Sequence, residues 1–298
     1  MPIGYHQNPA GSFERLTRWL AKIGSKYVPN TSNLMNSADL EGFRKAQRLA
    51  YDCVETVGKE LEYGISEKEA AELLASYLKA NGSERFIHRP FAWFGDHTRF
   101  DGYSNYMDYH PSDRTLSRGS IAILDVSPIV GGYTADVGYT LCLEYSLEKE
   151  KALAFLREIR DELPSLFVSE LTPAEIWHRI DKKIEDAGYD NIHSRYPFCV
   201  LGHRVFKLKN EGRRSVNRGV GAMSWFSTEV NLKFLSTGFS SVLSPDNIGS
   251  KNGLWAIEPH IGWQGAGAKF EEILVVEDNK AYWLDDNVPH ARKLSSED

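Results

Sequence analysis

The sequence predicts an α+β fold built from two similar halves. In each half a pair of amphipathic helices comes first, and apolar strands follow. Each set of strands also contains a glycine-rich turn with one carboxylate on either side, inside otherwise apolar runs. The repeat is one of element order, since no sequence identity between the halves is visible. These observations predict one sheet closed by both halves, with ligands bound in the crevice between them.

Four segments show the capping residues and the apolar periodicity of helices. They run from Ser37 to about Gly64, from Ser66 to Asn81, from Ser146 to about Leu163 and from Thr172 to Gly188. Pro164 is expected to end or kink the third, because proline has no backbone N–H to donate. The strand-like segment Tyr196–Phe206 follows the fourth. A shorter amphipathic helix is expected within residues 1–36.

Two aspartates flank the turn in the first half. Asp125 interrupts an apolar, β-branched run, and Asp136 follows Gly131 and Gly132. A two-residue turn at Val130-Gly131 would make the aspartates direct cross-strand neighbours, with Cβ atoms about 5 Å apart. Two buried like charges repel unless a positive group intervenes. The hairpin therefore predicts a metal ion between Asp125 and Asp136.

Two glutamates stand in the same relation in the second half. Glu258 and Glu271 are symmetric about a turn rich in glycine, so both can share one face of a hairpin. One such pair could simply be solvated, but two pairs in apolar strands indicate a buried site, since buried carboxylates are usually paired or metal-bound. His203, at the end of an apolar strand, is the expected nitrogen ligand.

Composition excludes several classes of protein. With 298 residues, of which 42% are hydrophobic and 26% charged, the chain has the profile of a globular protein. A net charge of −6 argues against non-specific binding to nucleic acid or anionic membranes. Three widely spaced cysteines form neither a disulfide framework nor a zinc motif. No signal peptide or membrane-spanning run is visible, so a cytoplasmic protein is expected.

The expected organisation has an N-terminal helical arm and linker (residues 1–37) and one catalytic domain (residues 38–298). An insertion at about 207–250 interrupts the domain with a basic run and several aromatic residues. The basic run is typical of a solvated loop, with a phosphate site as the alternative. The aromatic residues are more typical of a core than of a pocket.

Local motifs make the sequence similar to the pita-bread metalloenzymes, which include methionine aminopeptidase, aminopeptidase P, prolidase and the metal-free creatinase. The resemblance is carried, in order, by "ILDVSPIVGGYTAD", "LGH", "AIEPHI" and "AKFEEILVV". It covers about residues 38–286 and implies two pseudo-repeated halves with a curved, mostly antiparallel sheet covered by helices. The resemblance is to a catalytic domain alone, so the larger N-terminal domain of aminopeptidase P and prolidase is expected to be absent.

The resemblance implies a dinuclear site. Asp125 would chelate one ion, Asp136 and Glu271 would bridge two, and His203 and Glu258 would complete the ligand set. Mn²⁺, Fe²⁺, Co²⁺ and Zn²⁺ all suit these ligands. A metal-bridging water would be the nucleophile, with Glu258 as the proton shuttle. By analogy with some relatives, a homodimer is compatible with this site.

Two histidines of the family's peptidases are missing at the expected positions. The first position holds Asp108 and the second holds Asn210. In the family these imidazoles bind substrate and stabilise the tetrahedral intermediate. His97, His110 and His260 are the candidates to replace them, although each residue taken alone is more typical of packing or surface.

Three functions follow from these features. The first is a metal-dependent aminopeptidase-like or prolidase-like hydrolase acting on small peptides. The second is a non-peptidase enzyme that uses the same metal site on a small metabolite, which the missing histidines favour. The third is a catalytically silent binding scaffold, which the complete ligand set disfavours.

Overall fold

The computed structural model describes most of the chain. The described residues are 35–83, 85–103, 106–208 and 241–292, with Trp19, residues 22–25, Phe226, Glu229 and Leu232. Within these residues no helix combines the length and apolarity needed to cross a bilayer.

Four long helices form in the two predicted pairs. They are α1 (Ser37–Glu60), α2 (Glu67–Ala80), α3 (Leu147–Val168) and α4 (Pro173–Asp186). The predicted capping boxes at Ser66 and Thr172 are confirmed, since each side chain accepts a hydrogen bond from the third helical residue. Asn36 caps α1 through the backbone N–H of Asp39.

Helix α3 does not end at Pro164, so the prediction of an end there is wrong, and the alternative of a kink stays a prediction. The helix continues to Val168 with Pro164 inside it. Proline leaves the carbonyl four residues earlier, that of Arg160, without its helical partner. The indole Nε1 of Trp283 donates to this carbonyl at 3.2 Å, so the tertiary structure replaces the lost helical bond.

Fourteen strands make up the described sheets. They are β1 (Arg85–Phe86), β2 (Phe91–Phe94), β3 (Ala122–Val126), β4 (Pro128–Val130), β5 (Tyr133–Thr134), β6 (Val137–Leu141), β7 (Asp190–Asn191), β8 (Gly202–Arg204), β9 (Val242–Leu243), β10 (Gly253–Ile257), β11 (His260–Trp263), β12 (Ala266–Lys269), β13 (Glu272–Glu277) and β14 (Lys280–Trp283). Their orders are β1-β4-β5, β2-β3-β6, β12-β11-β7 and β14-β13-β10-β8-β9. Every pairing is antiparallel. In the segment 196–206 the described strand is β8, and a 3₁₀ turn occupies Pro197–Cys199.

The aspartate hairpin turns at Gly131 and Gly132, so the predicted turn at Val130-Gly131 is wrong. Both glycines have positive φ, 58° and 88°. A tight hairpin turn with two positive φ angles suits two glycines and excludes the β-branched valine. As a result Asp125 pairs with Gly138, and Asp136 is its diagonal neighbour rather than its direct partner. The two carboxylates still lie on one face.

The glutamate hairpin has the predicted symmetry. Ile257 pairs with Glu272 on one side of the glutamates, and His260 pairs with Lys269 on the other. Glu258 and Glu271 therefore lie at the same level, in the short gap between two stretches of ladder.

The two halves have separate cores and a shared seam. One core packs α1 and α2 on β2, β3 and β6, and the other packs α3 and α4 on the C-terminal strands. A third cluster joins them and includes Phe43, Ala135 and Ile273. Along the seam, the N–H of Glu271 donates to the carbonyl of Gly138 at 3.2 Å, and Tyr139 forms a β-bridge with Phe270. The seam brings the two carboxylate pairs together.

Several sequence predictions fall on residues outside the described part. They concern most of the N-terminal arm, Asn210 and most of the 207–250 insertion. The division into residues 1–37 and 38–298, with that insertion, therefore stays a prediction. Within the basic run, Lys207 is described, and its ammonium pairs with Asp39 at 2.8 Å.

Candidate metal centre

The structure brings the five predicted ligands together at the seam. Asp125 lies in the central strand of β2-β3-β6, and Asp136 immediately precedes β6. His203 lies in β8, Glu258 directly follows β10, and Glu271 directly precedes β13. All five side chains are buried. Strand ends and short gaps in the ladders therefore place the predicted ligands from both halves in one buried cluster.

His203 links the two halves through carboxylates. Its Nε2 lies 3.2 Å from Asp136 Oδ2 and 3.5 Å from Glu271 Oε1. Its Nδ1 lies 3.1 Å from the carbonyl of Arg204, which fixes the ring orientation. Nε2 therefore faces the carboxylates, as a metal-ligating imidazole held from behind would.

His88 belongs to the same cluster and was missed by sequence reasoning. Its Nε2 lies 3.1 Å from Asp136 Oδ1 and 3.4 Å from Asp125 Oδ1. Its Nδ1 contacts the carbonyl of Arg89 at 2.7 Å, and its backbone N–H donates to Ser127 Oγ. His88 precedes β2 in a segment with no motif, so no signal in the sequence could have pointed to it.

Lys269 was also missed, although a signal for it existed. Its Nζ contacts Asp125 Oδ2 at 2.8 Å, Glu271 Oε2 at 3.0 Å and Glu258 Oε2 at 3.1 Å. Side chains two positions apart on an extended chain point to the same face. Lys269 stands two positions before Glu271, so alternation alone indicated that it shares the face of that ligand.

The cluster is a closed ring in which acids and bases alternate. The order around the ring is His88, Asp136, His203, Glu271, Lys269 and Asp125, which returns to His88. Glu258 joins it through Lys269. This alternation lets the protein bury four carboxylates, because each acid has a positive or polar neighbour.

The carboxyl groups titrate very differently. Burial raises the pKa of Asp125 to about 6, although the Lys269 ammonium opposes the rise. Burial and the charge of Glu271 raise the pKa of Glu258 to about 8. Burial also acts on Asp136, but the two imidazoles beside it outweigh burial and hold its pKa below the usual value. Of these three carboxyl groups, Asp136 is therefore the one held most firmly in its charged form.

The bases of the ring are held in their charged forms. Burial alone would lower the pKa of His88, but Asp136 and Asp125 outweigh it and raise that pKa to about 9. The pKa values of His203 and Lys269 are raised well above normal by neighbouring carboxylates, against the effect of burial. Three positive side chains, those of His88, His203 and Lys269, thus lie beside the acids of the cluster.

Two groups of side chains could each hold a divalent ion. The first is His88, Asp125 and Asp136, and the second is Asp136, His203 and Glu271; in each, the ligand atoms lie within 4.8 Å of one another. Asp125 Oδ1 and Glu271 Oε1 are buried and have no hydrogen-bond donor among the described residues. An orphaned buried carboxylate oxygen is costly unless a cation meets it. The residues therefore fit a divalent metal ion.

The three histidines proposed as substitutes lie in different surroundings. His97 is fully engaged, since Nδ1 lies 2.6 Å from Glu67 and Nε2 lies 2.9 Å from the carbonyl of Asp108. His260 is buried behind Tyr196, whose hydroxyl lies 3.0 Å from its Nδ1, and burial lowers the pKa of His260 well below normal. None of these contacts involves a predicted ligand.

His110 lies against the aromatic residues that stack on His88. Its imidazole is 5.6 Å from the ring of Phe91, which stacks on His88 at 4.9 Å. Burial lowers the pKa of His110, and the positive charges of Arg89 and His88 add to that effect. His110 is therefore neutral at physiological pH, and its side chain is half-buried.

Comparisons with known proteins agree with this geometry. The model of metallopeptidase family M24 matches residues 41–278, which is most of the chain. The chain belongs to metallopeptidase family M24. As an M24 member it is a metallopeptidase-like hydrolase with the expected α+β, pita-bread fold, and the family generally binds divalent metals.

Solved structures of M24 relatives share this fold at low sequence identity. An X-Pro aminopeptidase from Thermotoga maritima has a TM-score of 0.61 and 16% identity, over 93% of this chain and 66% of that one. A prolidase from Pyrococcus furiosus has a TM-score of 0.59 and 18% identity, over 91% of this chain and 67% of that one. A methionine aminopeptidase from Rickettsia prowazekii has a TM-score of 0.53 and 13% identity, over 84% of this chain and 98% of that one. Identities this low support the fold alone.

A curated relative matches a shorter stretch. An uncharacterized peptidase of Staphylococcus haemolyticus is 25% identical over 114 residues, which is 38% of this chain and 31% of the relative. The match therefore spans about a third of the relative's length.

Proposed function

We propose that this M24 protein is a metal-dependent hydrolase of peptide or amide bonds, with aminopeptidase P-like or prolidase-like activity on small peptides. The observation that carries the proposal is the convergence of four buried carboxylates and two imidazoles on one crevice, with two carboxylate oxygens lacking a donor among the described residues. The family assignment supports it.

The proposed ligands are Asp125, Asp136, His203, Glu258 and Glu271, and His88 joins them because it completes one of the two triads. Two divalent ions are the proposed complement, with Mn²⁺ as the first candidate and Fe²⁺, Co²⁺ and Zn²⁺ as alternatives. When bound, such ions supply a nucleophile derived from water at neutral pH and polarise the carbonyl under attack.

Glu258 is the proposed proton carrier. It is the only one of the four carboxylates that belongs to neither triad, and its Oε2 accepts from Lys269 at 3.1 Å. A carboxyl group beside the reacting bond, held by a lysine rather than by both ions, can accept and return a proton.

The neutral imidazole of His110 is proposed to bind the substrate at the edge of the crevice, where the family's missing histidine would act. His97 and His260 are the weaker candidates, since His97 already bonds to Glu67 and His260 lies behind Tyr196.

A non-peptidase enzyme acting on a small metabolite is the second candidate. The stacked rings of His88, Phe91 and Trp93 favour it, because they form an aromatic wall beside the carboxylates. Phe226, from the 207–250 insertion, forms a β-bridge with His88 and extends this wall. Such a wall suits a flat or apolar ligand as well as a proline ring.

The test is release of free amino acid from Met-, Ala- and Xaa-Pro peptides by the full chain loaded with Mn²⁺. If the wild type cleaves any of these peptides, and Glu258→Gln loses this activity while its metal content is unchanged, the result supports the proposed peptidase function. No turnover on any peptide by fully loaded protein would favour the metabolite enzyme. Metal content near zero after reconstitution would favour the binding scaffold. The expected cytoplasmic location and homodimer stay predictions.

A further inference from the structure

Glu271 belongs to the second half by sequence, but its backbone is held by the first half. Its N–H donates to the carbonyl of Gly138, in β6, at 3.2 Å. Its carbonyl accepts from the hydroxyl of Tyr51, in α1, at 2.8 Å. Glu271 directly precedes β13, in the short gap between two stretches of ladder. Groups of the first half therefore supply the partners that a neighbouring strand supplies elsewhere in a sheet.

The other glutamate of the hairpin is held differently. The N–H of Glu258 donates to the carbonyl of Leu201 at 2.9 Å, and both residues belong to the second half. Between the described residues, the backbone hydrogen bonds of Glu271 therefore cross the seam, whereas that of Glu258 stays within one half. A change in α1 should thus act on Glu271 rather than on Glu258.

A second side chain of α1 holds the start of β13. Gln47 Oε1 accepts from the backbone N–H of Ile273 at 2.7 Å. Gln47 and Tyr51 are four positions apart, so they lie on one face of the helix, and they are 0% and 4% exposed. The carbonyl of Ile273 accepts from the N–H of Leu284, next to β14, at 2.9 Å. Helix α1 thus continues the edge of β13 that β14 covers further along.

The carboxylate that this backbone carries lies in one of the two candidate triads. Glu271 Oε1 lies 3.5 Å from His203 Nε2, and both side chains share the triad with Asp136. Oε1 is buried and has no hydrogen-bond donor among the described residues. Groups that hold a ligand from behind set its orientation and the affinity for the metal. A shift of the Glu271 peptide unit would therefore move its carboxylate away from the other two ligands.

We infer that Tyr51 and Gln47 are positioning residues of the metal centre. Through the backbone of Glu271 and Ile273, helix α1 of the first half fixes the place of a ligand that the second half supplies. A buried carbonyl that loses its donor is costly, so the peptide unit of Glu271 shifts when the Tyr51 hydroxyl is removed. This inference rests on the proposed function and concerns how one of its ligands is held.

The test compares Mn²⁺ binding by the wild type and Tyr51→Phe. The EDTA-treated full chain is titrated with Mn²⁺, and the free ion is measured by EPR. Tyr51→Phe removes one hydroxyl and keeps the ring that packs in the core of the first half. It should shift the midpoint of binding to about 10- to 100-fold higher Mn²⁺ concentration. Gln47→Met should shift the midpoint in the same direction by less, because Ile273 is two residues away from the ligand.

Tyr109→Phe is the matched control. Tyr109 is also buried, and its hydroxyl donates to the backbone carbonyl of Arg195 at 2.6 Å, but Arg195 is not a proposed ligand. Unfolding in urea with EDTA measures how much stability each variant loses without metal. Both Tyr51→Phe and Tyr109→Phe should lose stability, whereas only Tyr51→Phe should lose affinity for Mn²⁺. A merely structural role of Tyr51 would give the same midpoint in the wild type and both variants.

Four outcomes decide the matter. Identical midpoints for the wild type and a folded Tyr51→Phe would overturn the inference alone. An equal shift in Tyr109→Phe would also overturn it, because affinity would then follow stability and not the position of Glu271. If Tyr51→Phe fails to fold by circular dichroism, Gln47→Met decides: a shifted midpoint supports the inference, and an unchanged one overturns it. A wild type that binds no Mn²⁺ would overturn the proposed function, and this inference with it.

Discussion

Asp136 and His203 join the two halves of the molecule, with Oδ2 and Nε2 3.2 Å apart across 67 positions of the chain. The other carboxylate oxygen of Asp136 lies 3.1 Å from His88. Asp136 is therefore the point at which both candidate triads meet, and its removal should affect every ion that binds at the seam.

Asp136→Asn or Asp136→Ala should abolish tight metal binding. A ligand that binds only the folded state stabilises it, so the wild type should melt at a higher temperature in Mn²⁺ than in EDTA. The variants should lose this difference and most of their bound metal. Asp286→Asn, at an exposed position, is the control. It should keep both the bound metal and the difference in melting temperature between Mn²⁺ and EDTA. Unchanged metal content in the Asp136 variants would count against the bridging assignment.

Arg160→Met should destabilise the protein by about 3–5 kcal/mol, because it leaves the buried Glu272 carboxylate without its guanidinium partner, with the imidazole of His290 as the remaining contact. Arg160 Nε and Nη2 donate to the two oxygens of Glu272 at 2.7 and 2.9 Å, and Glu272 is fully buried. The measurement is urea unfolding. The double variant Arg160→Met/Glu272→Gln also removes the carboxylate charge of Glu272 and should recover most of the lost unfolding free energy. Equal stability of the single and double variants would contradict this account.

His193 should make the protein less stable in acid. Burial lowers the pKa of His193 from 6.5 to about 3, so the unfolded chain takes up a proton where the folded one does not. Its contribution to stability is present above pH 6.5 and is lost as the pH falls toward 3, with a slope of up to about 1.4 kcal/mol per pH unit. His260, whose backbone N–H lies 3.5 Å from His193 Nδ1, also has a pKa lowered by burial.

The measurement for His193 is the unfolding free energy between pH 7 and pH 4. His193→Gln should reduce the dependence on pH, whatever its effect on absolute stability. His178→Gln, at an exposed position of α4, should leave the slope unchanged. The same slope in the wild type and His193→Gln would exclude a titrating role for His193.

One cysteine of three should react with a thiol reagent in the native protein. Cys53 and Cys199 are fully buried, and burial raises the pKa of the Cys53 thiol to about 12. Cys142 is partly exposed and should account for the reaction. Mass spectrometry after brief alkylation at pH 8 should find one label, and three after denaturation. Cys142→Ser should show none in the native state; rapid labelling of Cys53 would contradict the burial described here.

Much of the fold follows from local patterns. Ser66 and Thr172 mark the starts of their helices in the sequence, because a capping box is a short-range pattern of hydrogen bonds. The symmetry of Glu258 and Glu271 about their turn also follows from the sequence, since alternation has a period of two. The turn at Gly131-Gly132 shows where local patterns fail to fix the register. The sequence was compatible with a turn one residue earlier, at Val130-Gly131, but the turn needs two residues that accept positive φ, and valine does not.

By itself the sequence determined the order of the elements, the family and the five side chains that converge at the seam, because caps, alternation and turn residues act over a few positions. Only the tertiary structure decided which groups neutralise those acids. His88 has no motif that marks it, and Lys269 reaches Asp125 across 144 positions of the chain. Such contacts depend on how two separately cored halves meet, and no local pattern records that.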